Sequence, residues 1–186
     1  MTARGGFQLV RLGAAMHGSG HRRRARSRTI ADLTRRTGYA VAMVLRPETA
    51  SDTLAIRALV SAAFHDAPHA TGTEADIVDT LRDDGALTIS PVCTVADEVV
   101  GHVAFSPVVV GCAAEGWFGL GPVAVQPEYR GQGIGQRLIE AGLGSLRERG
   151  AGGCVVLGDP AYYRRFGFAA DPAIVLAGVP LNTSSP

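Results

Sequence analysis

Between a strand-like run and an obvious helix, the stretch AVQPEYRGQGIGQRLIEAGLGSL, Ala124 to Leu146, places Gly131, Gly133 and Gly135 two residues apart. Glycines at such a turn remove side chains where successive backbone N–H groups must crowd one anion, and the helix that follows adds its positive dipole end. The turn therefore reads as a phosphate cradle, against the alternative of a tight turn that only packs the helix closely. A dinucleotide-binding turn would need G-x-G-x-x-G, but counting from Gly131 the last position is Gln136, and from Gly133 it is Leu138. A P-loop would end in Gly-Lys-Ser/Thr, and the chain contains no lysine.

The patterns on either side of the turn set the fold class. MVLRPE, from Met43, predicts a short strand, and TASDTLAIRALVSAAF places Leu54, Ile56, Leu59, Val60 and Phe64 near helical spacing after polar residues suited to capping. TEADIVDTLRDD predicts a second helix with Ile77, Val78 and Leu81 as its apolar stripe and Gly85 as its stop. ALTISPVCTVA and EVVGHVAFSPVVVG are β-branched runs joined through Asp97–Glu98 as a hairpin, and WFGLGPVAV follows after a short turn. Three neighbours linked this way should be antiparallel. Ile134, Leu138, Leu143 and Leu146 then give a helical face ending at Gly150, GCVVLG gives a buried strand, and PAYYRRF opens another short helix. The crossover from Val125 to Cys154 should be a right-handed β-α-β unit with parallel strands. The expectation is an α/β fold with a mixed, mostly antiparallel central sheet and flanking helices.

Charge divides the chain. Residues 1–40 hold nine arginines against Asp32 alone, whereas the rest holds nine arginines against sixteen acidic residues. The leader is Gly-rich, weakly periodic and has no aromatics among the arginines of GHRRRARSR, Gly20 to Arg28, so residues 1–42 read as a disordered extension rather than as a nucleic-acid-binding arm or a transit peptide. Residues 43–186 are then the folded domain. No run approaches the length of a membrane span and the start lacks the order of a secretory signal, so a cytoplasmic setting is expected. Cys93, Cys112 and Cys154 are too widely separated for a disulfide framework or a zinc spacing, and no metal is expected.

Arg130, Gly133 and Gly135 fit Arg-x-x-Gly-x-Gly. Together with LGPVAV, QPEYRGQG and YYRRFGF this pattern resembles the GNAT superfamily of acetyl-CoA-dependent N-acetyltransferases, in element order from Met43 to about Phe168 and continuously from Leu120 to Phe168. GHVAFSPV and VVLGDPAYYRRFGF are similar to one bacterial branch of it. The resemblance implies a GNAT fold with a β-α-β acetyl-CoA-binding core. It assigns the N–H groups of Gly131, Gln132, Gly133, Ile134 and Gly135 to the cofactor pyrophosphate, with Arg130 at its edge. It matches Val123 and Val125 to a splayed strand whose main chain pairs with the pantetheine arm, the Val123 N–H polarising the thioester carbonyl. Tyr163, four residues before Gly167 and Phe168, matches the tyrosine that protonates the leaving thiolate. A phenol near pKa 10 is protonated at neutral pH and can donate without activation. Tyr162 is the rival, since neighbouring helical side chains diverge by about 100° and one at most should face the thiol.

The general base stays open: Glu115 shares strand parity with Val123 eight residues away, His102 titrates in the useful range, and Ser106 could relay through water. Asp159 reads as a cap for the helix starting at Pro160. The function this implies is acetyl transfer from acetyl-CoA to a primary amine of a small molecule or peptide in a direct ternary complex, the alternative being an acyl-CoA-binding module without transfer. Eighteen residues follow Phe168, enough for one strand, AIVLA, whereas the family usually continues through a final hairpin lining the acceptor pocket. A truncated hairpin would leave a bare apolar edge, from which a homo-oligomer and weak acceptor binding are expected, unless FQLVRL of the leader covers it.

Overall fold

The computed structural model describes residues 8–12, 42–67, 70–110 and 114–170. Within them β1 (Gln8–Leu12), β2 (Met43–Pro47), β3 (Pro91–Val95), β4 (Glu98–Val110), β5 (Ala114–Val125), β6 (Gly153–Gly158) and β7 (Ala169–Ala170) form one sheet in the order β2-β3-β4-β5-β6-β1-β7. The pairs from β2 to β5 are antiparallel, as the short connections from β3 to β5 require; β2 reaches β3 through the two helices between them. The β3–β4 turn falls on Ala96–Asp97, one residue before the expected Asp97–Glu98, and both residues take the left-handed φ values, 50° and 66°, that a two-residue hairpin turn demands. After β5 the chain runs through α3 (Ile134–Glu148) and returns in β6, which lies parallel to β5 with Trp117, Phe118 and Gly119 opposite Gly153, Cys154 and Val155.

Helices cover both faces, so the sheet has two cores. On one face α3 buries Ile134, Leu138, Ile139, Leu143 and Leu146 against Cys93, Val103, Phe105 and Cys154. On the other, α1 (Thr53–Phe64) and α2 (Glu74–Asp83) bury Ile56, Leu59, Val60, Ala75 and Val78 against Val92, Ala104 and Ala124. Leu54 and Ile77, expected in those stripes, are instead 80% and 47% exposed. The cause is angular: the sheet takes only the stripe through Ile56, Leu59 and Val60, and through Ala75 and Val78, so neighbouring apolar residues turn outward. Cys93 and Cys154 are buried free thiols, and burial pushes Cys154 up to about 12. Cys112 lies outside the described residues.

One glycine sets how closely α3 seats. A Cβ at Gly142 would collide with the fully buried Phe105 ring. Gly142→Ala should therefore destabilise the protein by about 2 kcal/mol, overpacking outweighing alanine's better helix propensity. Urea unfolding checks this, and a stabilised variant would show that the helix shifts freely.

Residues 1–42 do not lie wholly outside the fold. Gln8–Leu12 pairs antiparallel with β6 along its whole length, Gln8 opposite Gly158 and Leu12 opposite Cys154, and Val10 is fully buried in the α3-side core. This corrects the reading of the whole leader as an extension, because apolar Val10 and Leu12 supply what the outer edge of β6 lacks. FQLVRL thus supplies a strand, but to β6; the edge expected to be bare, and the self-association expected from it, belong to AIVLA. The arginine cluster Gly20–Arg28 and the AIVLA segment, Ala173–Ala177, lie outside the described residues.

Candidate functional site

Residues of the glycine turn leave β5 through a 3-10 turn at Pro127–Tyr129 and enter α3 with Gly133 as its N-cap. Gly131 and Gly133 have φ of +76° and +79°, and a Cβ on either would meet nothing within 4 Å. Both point bare backbone into open space. The first bond closing α3 runs from the Arg137 N–H to the Gly133 carbonyl at 3.0 Å, so the N–H groups of Gly133, Ile134 and Gly135 have no carbonyl behind them in the helix. Gly131, Gln132 and Gly133 are exposed, whereas the Ile134 side chain is buried and anchors the turn. Arg130 folds back and donates from Nε to the Val125 carbonyl at 3.2 Å, which closes the turn onto the end of β5. Exposed N–H groups at a helix start, beside a space that side chains would fill, are the features a pyrophosphate needs.

A track leads away from the turn. The Gln126 N–H donates to the Val100 carbonyl of β4 at 2.9 Å. Strand alternation then points the Ala124 N–H at β4 and the Val123 and Val125 N–H groups the other way, toward β6. The β5–β6 register, however, ends at Gly119 opposite Val155. Beyond it the two strands diverge, and the main chain of Val123 and Val125 borders the gap. The same gap reaches the turn, since a Cβ at Gly135 would lie 3.7 Å from Val125 Cγ2 and 3.9 Å from Val123 Cγ1.

Two tyrosines follow the end of β6. α4 (Pro160–Tyr163) starts at Asp159, whose carboxylate accepts from the Ala161 N–H at 2.8 Å, as expected of a cap. The rings of Tyr162 and Tyr163 meet edge-on at 5.0 Å and point apart. Tyr163 lies over β6, so that a Cβ at Gly158 would strike its ring, and it stacks near Phe166 and Phe168. Burial pushes its phenol up to about 12, with Tyr162 and Cys154 adding to the shift. Tyr162 turns toward α3: its hydroxyl would lie 3.8 Å from a Cβ at Gly135, and Arg165 stacks on its ring at 4.4 Å. Thus Tyr162 lies beside the glycine turn, and Tyr163 is packed over β6 among Phe166 and Phe168.

The base candidates lie on different parts of the sheet. Glu115, near the start of β5, is eight residues from Val123, or roughly 27 Å along a strand. Ser106 sits on β4 opposite Gly119 and is half-buried. His102 is fully buried between Val92 and Ala124, on the α1–α2 face. Its Nε2 is 2.8 Å from Ser90 Oγ, and Ser90 also bonds Glu48, which accepts from Arg82 Nε at 2.8 Å and Nη2 at 3.1 Å. Burial disfavours the Glu48 charge, but the Arg82 and Ser90 hydrogen bonds outweigh it and hold the carboxyl below its ordinary value. A carboxylate only accepts, so the single Ser90 proton goes to Glu48 and Ser90 accepts from the His102 Nε2–H. The tautomer follows: Nδ1, which has no partner among the described residues, carries the lone pair. Burial lowers the His102 pKa to about 4, Glu48 opposing the shift and Arg82 adding to it. Glu48, Arg82 and Ser90 gave no signal in the sequence, because their partners lie between 12 and 42 residues away.

A separate recess of about 760 Å³ runs beside α1, lined by Asp52, Ala55, Leu59, Val99 and Gln126 among others. It lies on the opposite face from the gap. On its wall Arg46 donates to Asp52 at 2.7 and 2.9 Å and holds that carboxyl far below the ordinary range. Among the described residues no cluster of histidine, cysteine or carboxylate could hold a metal, and no helix is long and apolar enough to cross a membrane.

Known proteins share this architecture. The profile of the acetyltransferase (GNAT) family matches residues 53–168. The uncharacterized N-acetyltransferase YhbS of Escherichia coli strain K12 is 44% identical over 127 residues, covering 68% of this chain and 73% of YhbS. A GNAT family acetyltransferase from Brucella melitensis, crystallised with acetyl-CoA, is 47% identical with a TM-score of 0.66, over 75% of this chain and 90% of that one. The crystal structure of Escherichia coli YhbS with CoA is 42% identical with a TM-score of 0.64, over 70% and 71% of the two chains.

Proposed function

This chain belongs to the acetyltransferase (GNAT) family, and we propose that it transfers an acetyl group from acetyl-CoA to a primary amine of a small molecule or peptide within one ternary complex. The observation that carries the proposal is the continuous line of main-chain donors, from the N–H groups of the glycine turn to those of Val125 and Val123 along the diverging strands. Relatives crystallised with acetyl-CoA and with CoA support the same cofactor.

In this reading Gly131, Gln132, Gly133, Ile134 and Gly135 hold the pyrophosphate through their N–H groups, Arg130 adds charge at its edge, and Val125 and Val123 pair with the pantetheine arm. The Val123 N–H donates to the thioester carbonyl and stabilises negative charge as the amine attacks. The amine nitrogen bonds the carbonyl carbon, the carbon–sulfur bond breaks, and the leaving thiolate takes the Tyr163 proton. A phenol held near 12 stays protonated throughout the neutral range, which suits a donor. Water in the open gap removes the amine proton, because His102 is buried and Glu115 is distant.

Calorimetry with acetyl-CoA, followed by thiol release against a panel of amines, tests the proposal. Binding without release from any amine would favour the acyl-CoA-binding module instead. With an amine in hand, Tyr163→Phe should lower kcat about tenfold or more while acetyl-CoA affinity stays within about twofold. Tyr162→Phe measured beside it should retain most turnover. The reverse pattern would move the acid role to Tyr162, whose hydroxyl lies nearer the glycine turn.

A further inference from the structure

We propose that Gln8–Leu12 is a positioning element of the transfer site, a strand that enters the sheet between β6 and β7 and holds α4 with its two tyrosines over the diverging end of β6. Three observations carry this. β1 satisfies the outer edge of β6 over five register pairs, from Gln8 opposite Gly158 to Leu12 opposite Cys154. Those pairs reach the end of β6 from which α4 departs. β7, which follows α4, is hydrogen-bonded in the sheet to β1, with Val10 opposite Ala170 and Arg11 opposite Ala169. The segment between Gly158 and Ala169, which contains Tyr162 and Tyr163, is thereby pinned at both ends by the same strand.

Side chains complete the clamp. Val10 is fully buried in the core that contains Val156, Phe166 and Phe168, and α4 packs on β1. Leu12 reaches Gly167, where an added Cβ would lie 3.1 Å from Leu12 Cδ1. Phe166 and Phe168 in turn flank the Tyr163 ring, at 6.2 and 5.8 Å between centroids. Without β1, the backbone groups of β6 would face water on one side, β7 would lose its ladder, and the rings around Tyr163 would lose the apolar layer beneath them. The family match spans residues 53–168, so this strand lies outside the segment that defines the family.

The link to catalysis rests on the transfer reading, but the placement of β1 does not, and the experiment needs neither acetyl-CoA nor an amine. In the full chain, Leu9→Cys combined with Leu157→Cys joins two register partners, and Leu9→Cys with Val155→Cys is offset by two residues. Antiparallel partners fall within disulfide reach and the offset pair does not. Mild oxidation should give a monomeric disulfide in the first protein and none in the second. No disulfide, equal yields in both, or a disulfide-linked dimer would overturn the placement. For positioning, Val10→Asp is read by absorbance titration of tyrosine: one phenol should move from about 12 toward the ordinary value of 10. Val10→Ala, a milder change, should shift it in the same direction. A phenol that stays put in both variants would show that β1 does not hold Tyr163 in place.

Discussion

Gly133→Val is expected to abolish measurable acetyl-CoA binding, a loss of more than about a hundredfold in affinity, in a protein that still folds. Gly133 sits at φ +79° with nothing within 4 Å of its Cβ position. A Cβ there meets no protein atom, so the main cost to the fold is the conformational penalty of a left-handed residue, about 1 to 2 kcal/mol. In the proposed reading, the space open to the side chain is also the one the pyrophosphate occupies. Valine's methyl groups would occupy it and hold a phosphate away from the donors. Strain alone is separated from occlusion by Gly150→Val, since Gly150 has φ +72°, an equally open Cβ position and a place beyond the far end of α3. That control should lose similar stability and keep its affinity. Calorimetry on both decides the matter: unchanged affinity in a folded Gly133→Val protein would remove the pyrophosphate from this turn.

The turn's place between a strand and a helix could be read from the sequence because its parts are local. Three glycines, a strand before and an amphipathic helix after are all contiguous between Ala124 and Leu146, and the structure has them in that order. The antiparallel run from β3 to β5 and the parallel return in β6 were legible for the same reason, because connection length constrains strand direction. What pattern did not carry is pairing between distant segments. Nothing near His102 announces that Ser90, Glu48 and Arg82 will converge on it across β2, β4 and α2. The leader misled differently. Its arginines dominate any average over residues 1–42, and five residues of ordinary strand composition, QLVRL, are too few to show against them; only the uncovered edge of β6 gives them a place. Leu54 and Ile77 show a third limit, since periodicity marks an apolar sector and the partner surface decides which part of it is buried.

His102 makes the fold acid-sensitive in a defined window. Its pKa falls from 6.5 to about 4 on folding, chiefly through burial, with Glu48 opposing and Arg82 reinforcing the shift. Well above pH 6.5 the imidazole is neutral in both states and titration contributes nothing. As the pH drops through 6.5, the unfolded chain takes up a proton that the folded protein refuses until about 4. The unfolded state is therefore favoured progressively, by about 2 to 3 kcal/mol at roughly pH 4.5. Glu48 acts with the opposite sign of shift. Its folded value lies below the ordinary 4.5, so its stabilisation is complete above that value and is lost only as the pH falls through the lower folded one. The two groups thus act in adjacent windows, and the loss above about pH 4.5 belongs to His102. His102→Gln retains an N–H able to donate to Ser90 but cannot take up a proton. Urea unfolding from about pH 7.5 down to about pH 4.5 should show a steep decline in the parent protein and a decline smaller by about 2 to 3 kcal/mol in His102→Gln. Parallel declines in the two proteins would mean that His102 accepts its proton in the folded state, and that the unpartnered Nδ1 is within reach of solvent after all.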